Sequence, residues 1–518
     1  MPNVQTATLA VLRALRMTTI FGNPGSTELP LLRDLPADFR YILGLQESVV
    51  LGMADGYAQG TGRAALVNLH ATAGTGHALG NLFTAWKNQT PLVVTAGQQA
   101  RSILPFEPFL FAEQATEFPR PFVKWAIEPA RAEDVPAAIA RAYIVAMQPP
   151  RGPTFVSIPV DDWDRPCEPV HIPQAGATNP GDPALLAQAA QVLARARQPV
   201  LVVGAGVARD GGWNRVIALA ERHQAPVWVA PFSARCSFPE DHPLFAGFLD
   251  PRREAIVAAL TPHDVIVALG GPLSLYHVEG DGPHLPPGAT TVFIADNPAQ
   301  VSWAPCDLAV VADADHALAA LLAGPEPAPR TAIVPRAAAA VPNRAILTDR
   351  LVFDHLAALR PAGSIVVEEA PTARGPMHDH LPITAPDTFY TCASGGLGHG
   401  LPASVGMALA RPDRRVIAVL GDGSAMYAIQ GLWSAAQLGL PISFIILNNR
   451  RYEALRGFGR LFGMHSVAGT DLSGIDFCGL ATAQGIPAQK VGEPDGVGPA
   501  LRWSFAQTGP TLVEMMIV

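Results

Sequence analysis

Long uninterrupted apolar runs are missing from this sequence of 518 residues, although 49% of the residues are hydrophobic. No run reaches the roughly 18 residues that a bilayer-spanning helix needs, so we do not predict a membrane protein. Basic runs are also missing and the net charge is only −8, which disfavours a nucleic-acid partner. The opening stretch MPNVQTATLAVLRALRM lacks the charged start, long apolar stretch and cleavage site of a secretory signal.

Cysteine is scarce, with five residues that lie far apart and form no C-x-x-C pair. Such spacing indicates neither a disulfide framework nor a zinc site. We therefore expect reduced, mostly buried thiols in a cytoplasmic protein. The five are Cys167, Cys236, Cys306, Cys392 and Cys478.

Two stretches rich in proline, 169–186 and 323–343, lack periodic apolar signal and are typical of linkers. The chain length is suited to about three domains of ordinary size. The linkers predict domains over residues 1–170, 182–325 and 343–518.

Each predicted domain alternates short apolar runs with stretches of helical pattern, as in ALVNLH before HALGNLFTAWKN and PVLVVGAG before WNRVIALAERH. Strands that are apolar on both faces and separated by helices indicate parallel sheets covered on both sides. The predicted fold class is therefore α/β, with three helix-covered parallel sheets. Ligands of such sheets bind beyond the carboxyl ends of the strands.

One apolar run, IAVLGDGSAM at 417–426, ends at Asp422 between two glycines, and a helix with Ser424 as its candidate cap is predicted next. The following run, ISFIILNN, ends at Asn449. If the two strands are neighbours, both side chains reach one crevice, where oxygen ligands and a phosphate suit Mg²⁺. If each of these two stretches is considered alone, the alternative is a structural turn, such as a Gly-Asp-Gly turn, that binds no ligand.

The stretch GDGSAMYAIQGLWSAAQLGLPISFIILNN resembles the thiamine diphosphate motif, which begins with GDG and ends with NN. The stretches NPGSTELP, LQES, NLHATAGTG and GGLGHGLPASVG resemble the benzoylformate decarboxylases, within the thiamine diphosphate-dependent 2-keto acid decarboxylase family. The resemblance covers essentially the whole chain. It implies a pyrimidine-binding domain, a Rossmann-like middle domain and a diphosphate-binding domain.

The resemblance implies that thiamine diphosphate and Mg²⁺ are the cofactors. Asp422, Asn449 and the backbone carbonyl of Arg451 match the metal ligands of the family. Gly423 and Ser424 match positions that bind the diphosphate.

Three further residues match positions that act on the rings of the cofactor. Glu47 matches the glutamate that bonds the aminopyrimidine, although its position alone equally suits a helix start. Gly395 matches the residue whose carbonyl accepts from the 4′-amino group, and Leu397 matches the residue that bends the cofactor. Without the resemblance, Gly395 and Leu397 would be read as a glycine-rich turn before a helix.

Three polar residues match the substrate site of the family. The resemblance assigns Ser26 to the substrate carboxylate, and His70 and His277 to proton transfers. Histidine suits such transfers because it titrates near neutral pH. Any one of the fourteen histidines, taken alone, would more often have a surface or core role.

The resemblance also implies an apolar, partly aromatic substrate pocket, but three positions depart from the family pattern. Thr470 stands where leucine is expected, Thr391 where phenylalanine is expected, and Pro371 where threonine is expected near the cofactor. These departures leave acceptor preference and chain-length range open. Besides Thr470, the implied pocket positions are Phe458, Ala454, Leu455, Phe109 and Leu110.

The implied activity is non-oxidative decarboxylation of an aromatic 2-keto acid, benzoylformate to benzaldehyde and CO₂, with aldehyde carboligation as a side activity. The resemblance implies at least a homodimer and favours a homotetramer, with the active sites between subunits. A small-molecule substrate is expected, without nucleic-acid or membrane partners.

Other readings stay open at this point. Pyruvate, phenylpyruvate or phosphonopyruvate would each suit a relative of the same mechanism, and a cofactor-binding subunit without turnover is a non-enzymatic alternative. An acetolactate synthase-like enzyme would bind flavin in the middle domain. There VVGAGVARDGG begins like a dinucleotide fingerprint but has Arg209 in place of the third glycine, which favours a structural layer.

Overall fold

The computed structural model describes residues 2–330, 333 and 335–518, so that residues 331, 332 and 334 of the second predicted linker, and residue 1 of the first predicted domain, lie outside the described residues. The chain divides into two compact units. The first unit combines residues 1–176, 343–374 and 394–518, and the second combines residues 177–342 and 375–393.

The first sheet belongs to the first unit and has six strands in the order β2-β1-β3-β4-β6-β5, all paired in parallel. Helices connect the strands, as the alternating sequence pattern predicts. The strands are β1 (Thr19–Gly22), β2 (Arg40–Leu43), β3 (Ala65–Leu69), β4 (Leu92–Gln98), β5 (Ala126–Ile127) and β6 (Pro153–Pro159), and the helices are α1 (Val4–Ala14), α2 (Leu29–Leu32), α3 (Glu47–Thr61), α4 (Ala71–Asn88) and α5 (Val135–Met147).

The second sheet belongs to the second unit and has the order β12-β11-β10-β7-β8-β9. Leu201 and Val203 pack into one apolar cluster, whereas Val200 and Val202 pack into another. Alternate residues of a strand point to opposite faces, so a strand buried on both faces must be apolar throughout. The strands are β7 (Pro199–Val203), β8 (Val227–Val229), β9 (Phe245–Phe248), β10 (Val265–Leu269), β11 (Thr290–Ala295) and β12 (Leu308–Val311), and the helices are α6 (Pro183–Arg195), α7 (Ala205–Arg209), α8 (Trp213–His223), α9 (Arg253–Leu260), α10 (Pro298–Trp303) and α11 (Ala314–Leu322).

The third sheet also has six strands, and the five that lie in the first unit run in the order β13-β15-β16-β18-β17 with parallel pairing. The strands are β13 (Ile365–Glu369), β14 (Phe389–Thr391), β15 (Val416–Gly421), β16 (Ile442–Asn448), β17 (Ala488–Val491) and β18 (Thr511–Met516), and the helices are α12 (Asp349–Leu359), α13 (Arg374–His380), α14 (Gly400–Ala410), α15 (Asp422–Met426), α16 (Gly431–Leu438), α17 (Glu453–Leu461), α18 (Phe477–Ala483) and α19 (Val497–Ala506).

The predicted α/β class with three helix-covered parallel sheets is confirmed. Within the residues that the structure describes, no helix combines the length and apolarity required to cross a bilayer. Helices α3 and α14 pack directly together: a Cβ atom on Gly56 would collide with the backbone of Ala403, and one on Gly406 with the backbone of Met53. Glycine therefore permits close approach of these two helices.

Candidate active site

Three neighbouring strands of the first sheet end at one edge and place three of the predicted residues there. Strand β1 lies between β2 and β3 in parallel register. Ser26 lies in the turn after β1, Glu47 is the first residue of the helix after β2, and His70 directly follows β3. The carboxyl ends of parallel strands meet at one edge of a sheet, so these residues are brought to a common region.

The carboxylate of Glu47 is nearly buried, with 10% of the side chain exposed. Its Oε1 accepts a hydrogen bond from Asn23 Nδ2 at 3.2 Å, and its Oε2 lies 3.0 Å from His77 Nδ1. Gly74 lies against the side chain, where a Cβ would be 3.4 Å from Glu47 Cγ. Each carboxylate oxygen thus has its own partner, which fixes the plane of the group.

His70 precedes α4 and contacts a buried carboxylate that the sequence analysis did not select. His70 Nδ1 lies 2.9 Å from Glu28 Oε2 and 3.1 Å from Thr27 Oγ1. Glu28 is held in turn by the backbone N–H groups of Gly25 and Gly97, at 2.9 and 3.0 Å. Since Nδ1 faces Glu28, the remaining ring nitrogen of His70 is the one left for chemistry.

The neighbouring strands β15 and β16 bring together the predicted metal ligands. Gly421 pairs with Leu447, so Asp422 and Asn449 emerge side by side at the ends of their strands. The backbone N–H of Arg451 donates to Asp422 Oδ2 at 3.2 Å and to Asn449 Oδ1 at 3.1 Å. Two oxygens that share one donor lie close together, and Asp422 Oδ1 accepts from Gly423 N at 2.7 Å.

The chemistry of these donors fits a hard divalent cation, because all of them are oxygens. Burial raises the pKa of Asp422, while hydrogen bonds from the backbone N–H groups of Gly423, Arg451 and Arg450 oppose that rise. A bound cation would stabilise the ionised form. The described residues contain no group of three or more His, Cys, Asp and Glu side chains that could hold a metal. A site here therefore depends on the amide of Asn449 and on backbone oxygen.

The segment after Asp422 differs from the prediction of one helix capped by Ser424. The structure has the short helix α15, a turn over 427–430 and then α16. Ser424 is a buried residue inside α15, the residue before that helix is Gly421, and no side chain caps it. The prediction of Ser424 as a cap is wrong, because the helix begins directly at Asp422. Gly423 packs so closely on the Tyr452 ring that a Cβ would collide with it.

Gly395 and Leu397 lie in the irregular segment before α14. Gly395 has a φ of +71°, in the left-handed region that glycine tolerates best, and its surface is exposed. Leu397 is half-buried. Asn81 Nδ2 of α4 donates to Gly398 O at 3.1 Å and to Ser48 O at 2.7 Å. This amide connects the segment to the residue that follows Glu47.

The other predicted residues lie in less enclosed surroundings. Ser26 is exposed in its turn. His277 belongs to the second unit, where its ring meets Phe232 edge-on with a centroid distance of 5.6 Å. Phe109 is 86% exposed and Leu110 is 37% exposed. On or beside α17, Leu455 is 47% exposed, and Ala454 and Phe458 are half-buried.

The three departures from the family pattern have different surroundings. Thr470 is buried, and its hydroxyl donates to Val467 O at 2.9 Å and accepts from Arg456 Nε at 3.2 Å. Thr391 is buried in β14, whereas Pro371 is exposed. The hydroxyl of Thr470 is thus engaged within its own segment.

The fingerprint-like segment of the second unit contains a buried ion pair. Arg209 Nη2 lies 2.9 Å from Asp296 Oδ2, and the two side chains are 8% and 5% exposed. Burial would lower the pKa of Arg209, but the charges of Asp296 and Asp210 outweigh it and raise the pKa. Gly204 packs against Gly270 and Gly271, where a Cβ would collide with their backbone.

Sequence reasoning missed the residues that support the predicted ones, namely Asn23, Glu28 and His77. Glu28 lies within the quoted stretch NPGSTELP, two residues after Ser26, so a carboxylate near a predicted substrate residue was a visible signal. His77 lies in α4, seven residues after His70, so a second histidine close to a predicted one was a visible signal. Asn23 opens the stretch NPGSTELP, but an asparagine beside a proline and a glycine is typical of a turn and gave no specific signal.

Family models match three parts of the chain: the N-terminal thiamine pyrophosphate binding domain over residues 2–116, the central domain of thiamine pyrophosphate enzymes over 186–321, and the C-terminal thiamine pyrophosphate binding domain over 372–515. Thiamine pyrophosphate is another name for thiamine diphosphate. The chain belongs to the thiamine pyrophosphate enzyme family.

Within that family, the chain is similar to a benzoylformate decarboxylase of Pseudomonas aeruginosa, with 42% identity over 99% of each chain. Among solved structures, it is similar to a benzoylformate decarboxylase from Polynucleobacter necessarius, with a TM-score of 0.98, 38% identity and coverage of 100% of this chain and 99% of that one. It is also similar to a 4-hydroxybenzoylformate decarboxylase of Rhodococcus jostii RHA1, with a TM-score of 0.95, 40% identity and 99% coverage of both chains.

Proposed function

We propose that this protein is a carboxy-lyase that decarboxylates an aromatic 2-keto acid, with benzoylformate giving benzaldehyde and CO₂. The observation that carries the proposal is the 42% identity over 99% of both chains with a benzoylformate decarboxylase. The carboxylates and histidines at the strand ends of the first sheet support it. Carboligation of a second aldehyde is proposed as a side activity.

If bound, thiamine diphosphate would supply a nucleophilic carbon and an electron sink for decarboxylation. Mg²⁺ is proposed as the metal, held by Asp422, Asn449 and the carbonyl of Arg451. Gly423 and Ser424 would bind the diphosphate. The exclusively oxygen donor set supports this choice of metal.

Glu47 is proposed to exchange a proton with the aminopyrimidine ring. Its two oxygens are held by Asn23 and His77, so the carboxylate is oriented before the cofactor arrives. Gly395 and Leu397 are proposed to bind and bend the cofactor. Gly395 has a positive φ that glycine tolerates best. Because it has no side chain, this turn presents only backbone at that position.

Ser26 is proposed to bind the substrate carboxylate, and His70 and His277 to move protons at the reacting carbon. The 2.9 Å contact between His70 Nδ1 and Glu28 Oε2 would orient the ring and leave its other nitrogen for this role. The proposed pocket includes Phe458, Ala454, Leu455, Phe109, Leu110 and Thr470.

The proposed assembly is a homotetramer with active sites between subunits. The 80% exposure of Phe106 and the 86% exposure of Phe109 support it, because exposed aromatic patches commonly mark contact surfaces. Within the described part of the chain the five cysteines form no disulfide bonds, which supports the proposed cytoplasmic location. The domain bounds 1–170, 182–325 and 343–518 are supported by the three sheets, each of which falls within one of them.

The substrate assignment is tested by comparing kcat/KM for benzoylformate, 4-hydroxybenzoylformate and pyruvate, with thiamine diphosphate and Mg²⁺ present. The proposal predicts preference for an aromatic acid. Preference between the two aromatic acids would identify the ring substituent that the pocket accepts. Preference for pyruvate would reject the aromatic assignment and leave the family assignment intact.

A further inference from the structure

The turn that follows β16 carries two of the proposed metal ligands and contains a residue in an unfavourable conformation. Arg450 lies between Asn449 and Arg451 and has a φ of +59°, in the left-handed region. A residue with a Cβ atom is disfavoured in that region, because the Cβ approaches the following carbonyl oxygen. Such a conformation persists where surrounding contacts stabilise it, so this turn requires support from its neighbours.

Asn448, the last residue of β16, supplies that support. Its Oδ1 accepts a hydrogen bond from the backbone N–H of Arg450 at 2.9 Å, and its Nδ2 donates to Glu514 Oε1 at 2.7 Å. Its backbone carbonyl accepts from Ile517 N at 3.1 Å. Asn448 is only 2% exposed, so these contacts replace hydrogen bonds to water. The residue thus joins the turn to β18 and to the residue directly after it.

Glu514 determines which way the amide of Asn448 faces. Strands β16 and β18 pair so that Glu514 lies opposite Ile446, and Asn448 lies two residues further along on the same face. Glu514 is fully buried, and Lys490 Nζ lies 3.4 Å from the same Oε1. An ionised carboxylate accepts hydrogen bonds and donates none, so the NH₂ group of Asn448 must face Glu514 and its oxygen must face Arg450.

The conformation of Arg450 sets the position of the backbone group that follows it. Arg451 N donates both to Asp422 Oδ2 and to Asn449 Oδ1, so this N–H lies between the two proposed side-chain ligands. A change of φ at Arg450 would rotate the peptide that carries it. The proposed ligands and their supporting residues lie in strands of the third sheet or just after them, so a single subunit supplies the whole arrangement.

We propose that Asn448 is a positioning residue for the proposed magnesium site, because its amide, oriented by Glu514, holds Arg450 in the left-handed conformation that places Arg451 beside Asp422 and Asn449. This inference rests on the metal ligands proposed above. Residues that orient metal ligands without touching the metal commonly determine how tightly it binds. Asn448 and Glu514 would therefore act on metal affinity and not only on the stability of the sheet.

The test measures the binding of Mn²⁺, which prefers the same oxygen ligands as Mg²⁺, by electron paramagnetic resonance of the free ion in apoprotein with excess thiamine diphosphate. Asn448→Ala removes the amide, whereas Glu514→Gln retains the size of the side chain but no longer imposes one orientation on Asn448. The control is Thr511→Val at the opposite end of β18, where the buried hydroxyl of Thr511 lies 2.6 Å from that of Ser504. The midpoint of thermal unfolding is measured beside each dissociation constant.

We expect Asn448→Ala to weaken Mn²⁺ binding by about 10- to 100-fold, the usual cost of losing a residue that orients a metal ligand. Glu514→Gln should weaken it less, because the amide of glutamine can still accept a hydrogen bond from Asn448. We expect Thr511→Val to lower the unfolding midpoint and to leave the dissociation constant within about twofold, since distant sites rarely couple. An effect of Asn448→Ala on Mn²⁺ binding no larger than that of the control would overturn the proposal.

A double variant gives a second comparison, which also decides the matter if Asn448→Ala does not fold. Asn448→Asp alone places two carboxylates face to face, so we expect Mn²⁺ binding to weaken. Adding Glu514→Gln exchanges the amide and the carboxylate between the two positions, so that both hydrogen bonds, including the one from Arg450 N–H, can form again. We expect the double variant to bind Mn²⁺ more tightly than Asn448→Asp. Binding no tighter than in Asn448→Asp would refute the role of this pair.

Arg450→Gly tests whether Asn448 acts through the conformation of the turn. Glycine adopts positive φ without the penalty that a Cβ imposes, so the turn would depend less on the amide of Asn448. Asn448→Ala should therefore weaken Mn²⁺ binding by a smaller factor in the Arg450→Gly background than in the wild-type protein. Equal factors in the two backgrounds would overturn the proposed action through Arg450.

The outcomes separate this inference from the other proposals. A wild-type protein that binds Mn²⁺ but leaves benzoylformate unchanged would refute the substrate assignment only, and the binding comparison would still decide the role of Asn448. A loss of Mn²⁺ binding in Asp422→Asn without a loss in Asn448→Ala would support the metal site and overturn the role of Asn448. A wild-type protein that does not bind Mn²⁺ would overturn both.

Discussion

Carboxylates at strand ends of the second and third sheets have different partners. Asp296 follows β11 and is neutralised within the chain by the buried guanidinium of Arg209. Asp422 follows β15, and its described hydrogen bonds come from backbone N–H groups. Both sheets have the same parallel architecture, so the sheet alone does not specify a ligand site. The difference shows that a strand-end carboxylate whose described partners are backbone N–H groups is a better candidate cation ligand than one paired with a guanidinium.

Asp422→Asn should have the largest effect on activity. The change removes the negative charge that the proposed Mg²⁺ requires, and we expect kcat/KM to fall by more than about 100-fold, beyond the usual cost of losing a supporting partner. Cofactor affinity should lose its dependence on Mg²⁺. Both are measured by titrating the cofactor at several Mg²⁺ concentrations, and a variant that retained its Mg²⁺ dependence would contradict the ligand assignment.

Glu47→Gln should have the second-largest effect on activity. The amide preserves size but cannot exchange a proton as a carboxylate does, so we expect kcat to fall by about 10²- to 10⁴-fold. The affinity for thiamine diphosphate should change little, because Glu47 is not a proposed ligand of the diphosphate or the metal. Steady-state kinetics and cofactor titration separate the two effects, and activity within about tenfold of wild type would remove Glu47 from its proposed role.

Glu28→Gln should have a smaller effect that acts through His70. The change removes the carboxylate that faces His70 Nδ1, and we expect kcat to fall by about 10- to 100-fold, as for other supporting partners. KM for thiamine diphosphate should stay constant. Glu28→Asp, which retains the charge, should recover part of kcat, and the absence of any recovery would argue for a purely structural role.

Arg209→Met should have the smallest effect on catalysis and a large effect on stability. Asp296 would be left buried without its partner, which typically costs about 3–5 kcal/mol. Chemical denaturation measures that loss, and activity is compared per folded protein with thiamine diphosphate present. If the variant kept its stability but lost activity, the contrast between the two strand-end carboxylates would fail.

The fold was predictable because its signal is local. Apolar runs such as those around Leu201 and Val203 identify strands buried on both faces, and the pairing of Gly421 with Leu447 follows from parallel neighbours. The convergence of Asp422 and Asn449 follows in turn from that pairing.

The supporting contacts were not predictable in the same way. Glu28 and His70 are 42 residues apart, and Asn448 and Glu514 are 66 residues apart, so no local pattern reports either pair. The sequence predicted Ser424 as a helix cap, whereas it lies inside α15. Capping residues and residues of the first turn have similar sequence patterns, so the two positions are not distinguished by sequence.

The measurement that tests the central claim most directly is reconstitution of the apoprotein, with CO₂ and benzaldehyde quantified from benzoylformate. Thiamine diphosphate and Mg²⁺ are supplied separately and together. We predict equal amounts of the two products only when both cofactors are present. Turnover without thiamine diphosphate, or no turnover when both are bound, would contradict the account.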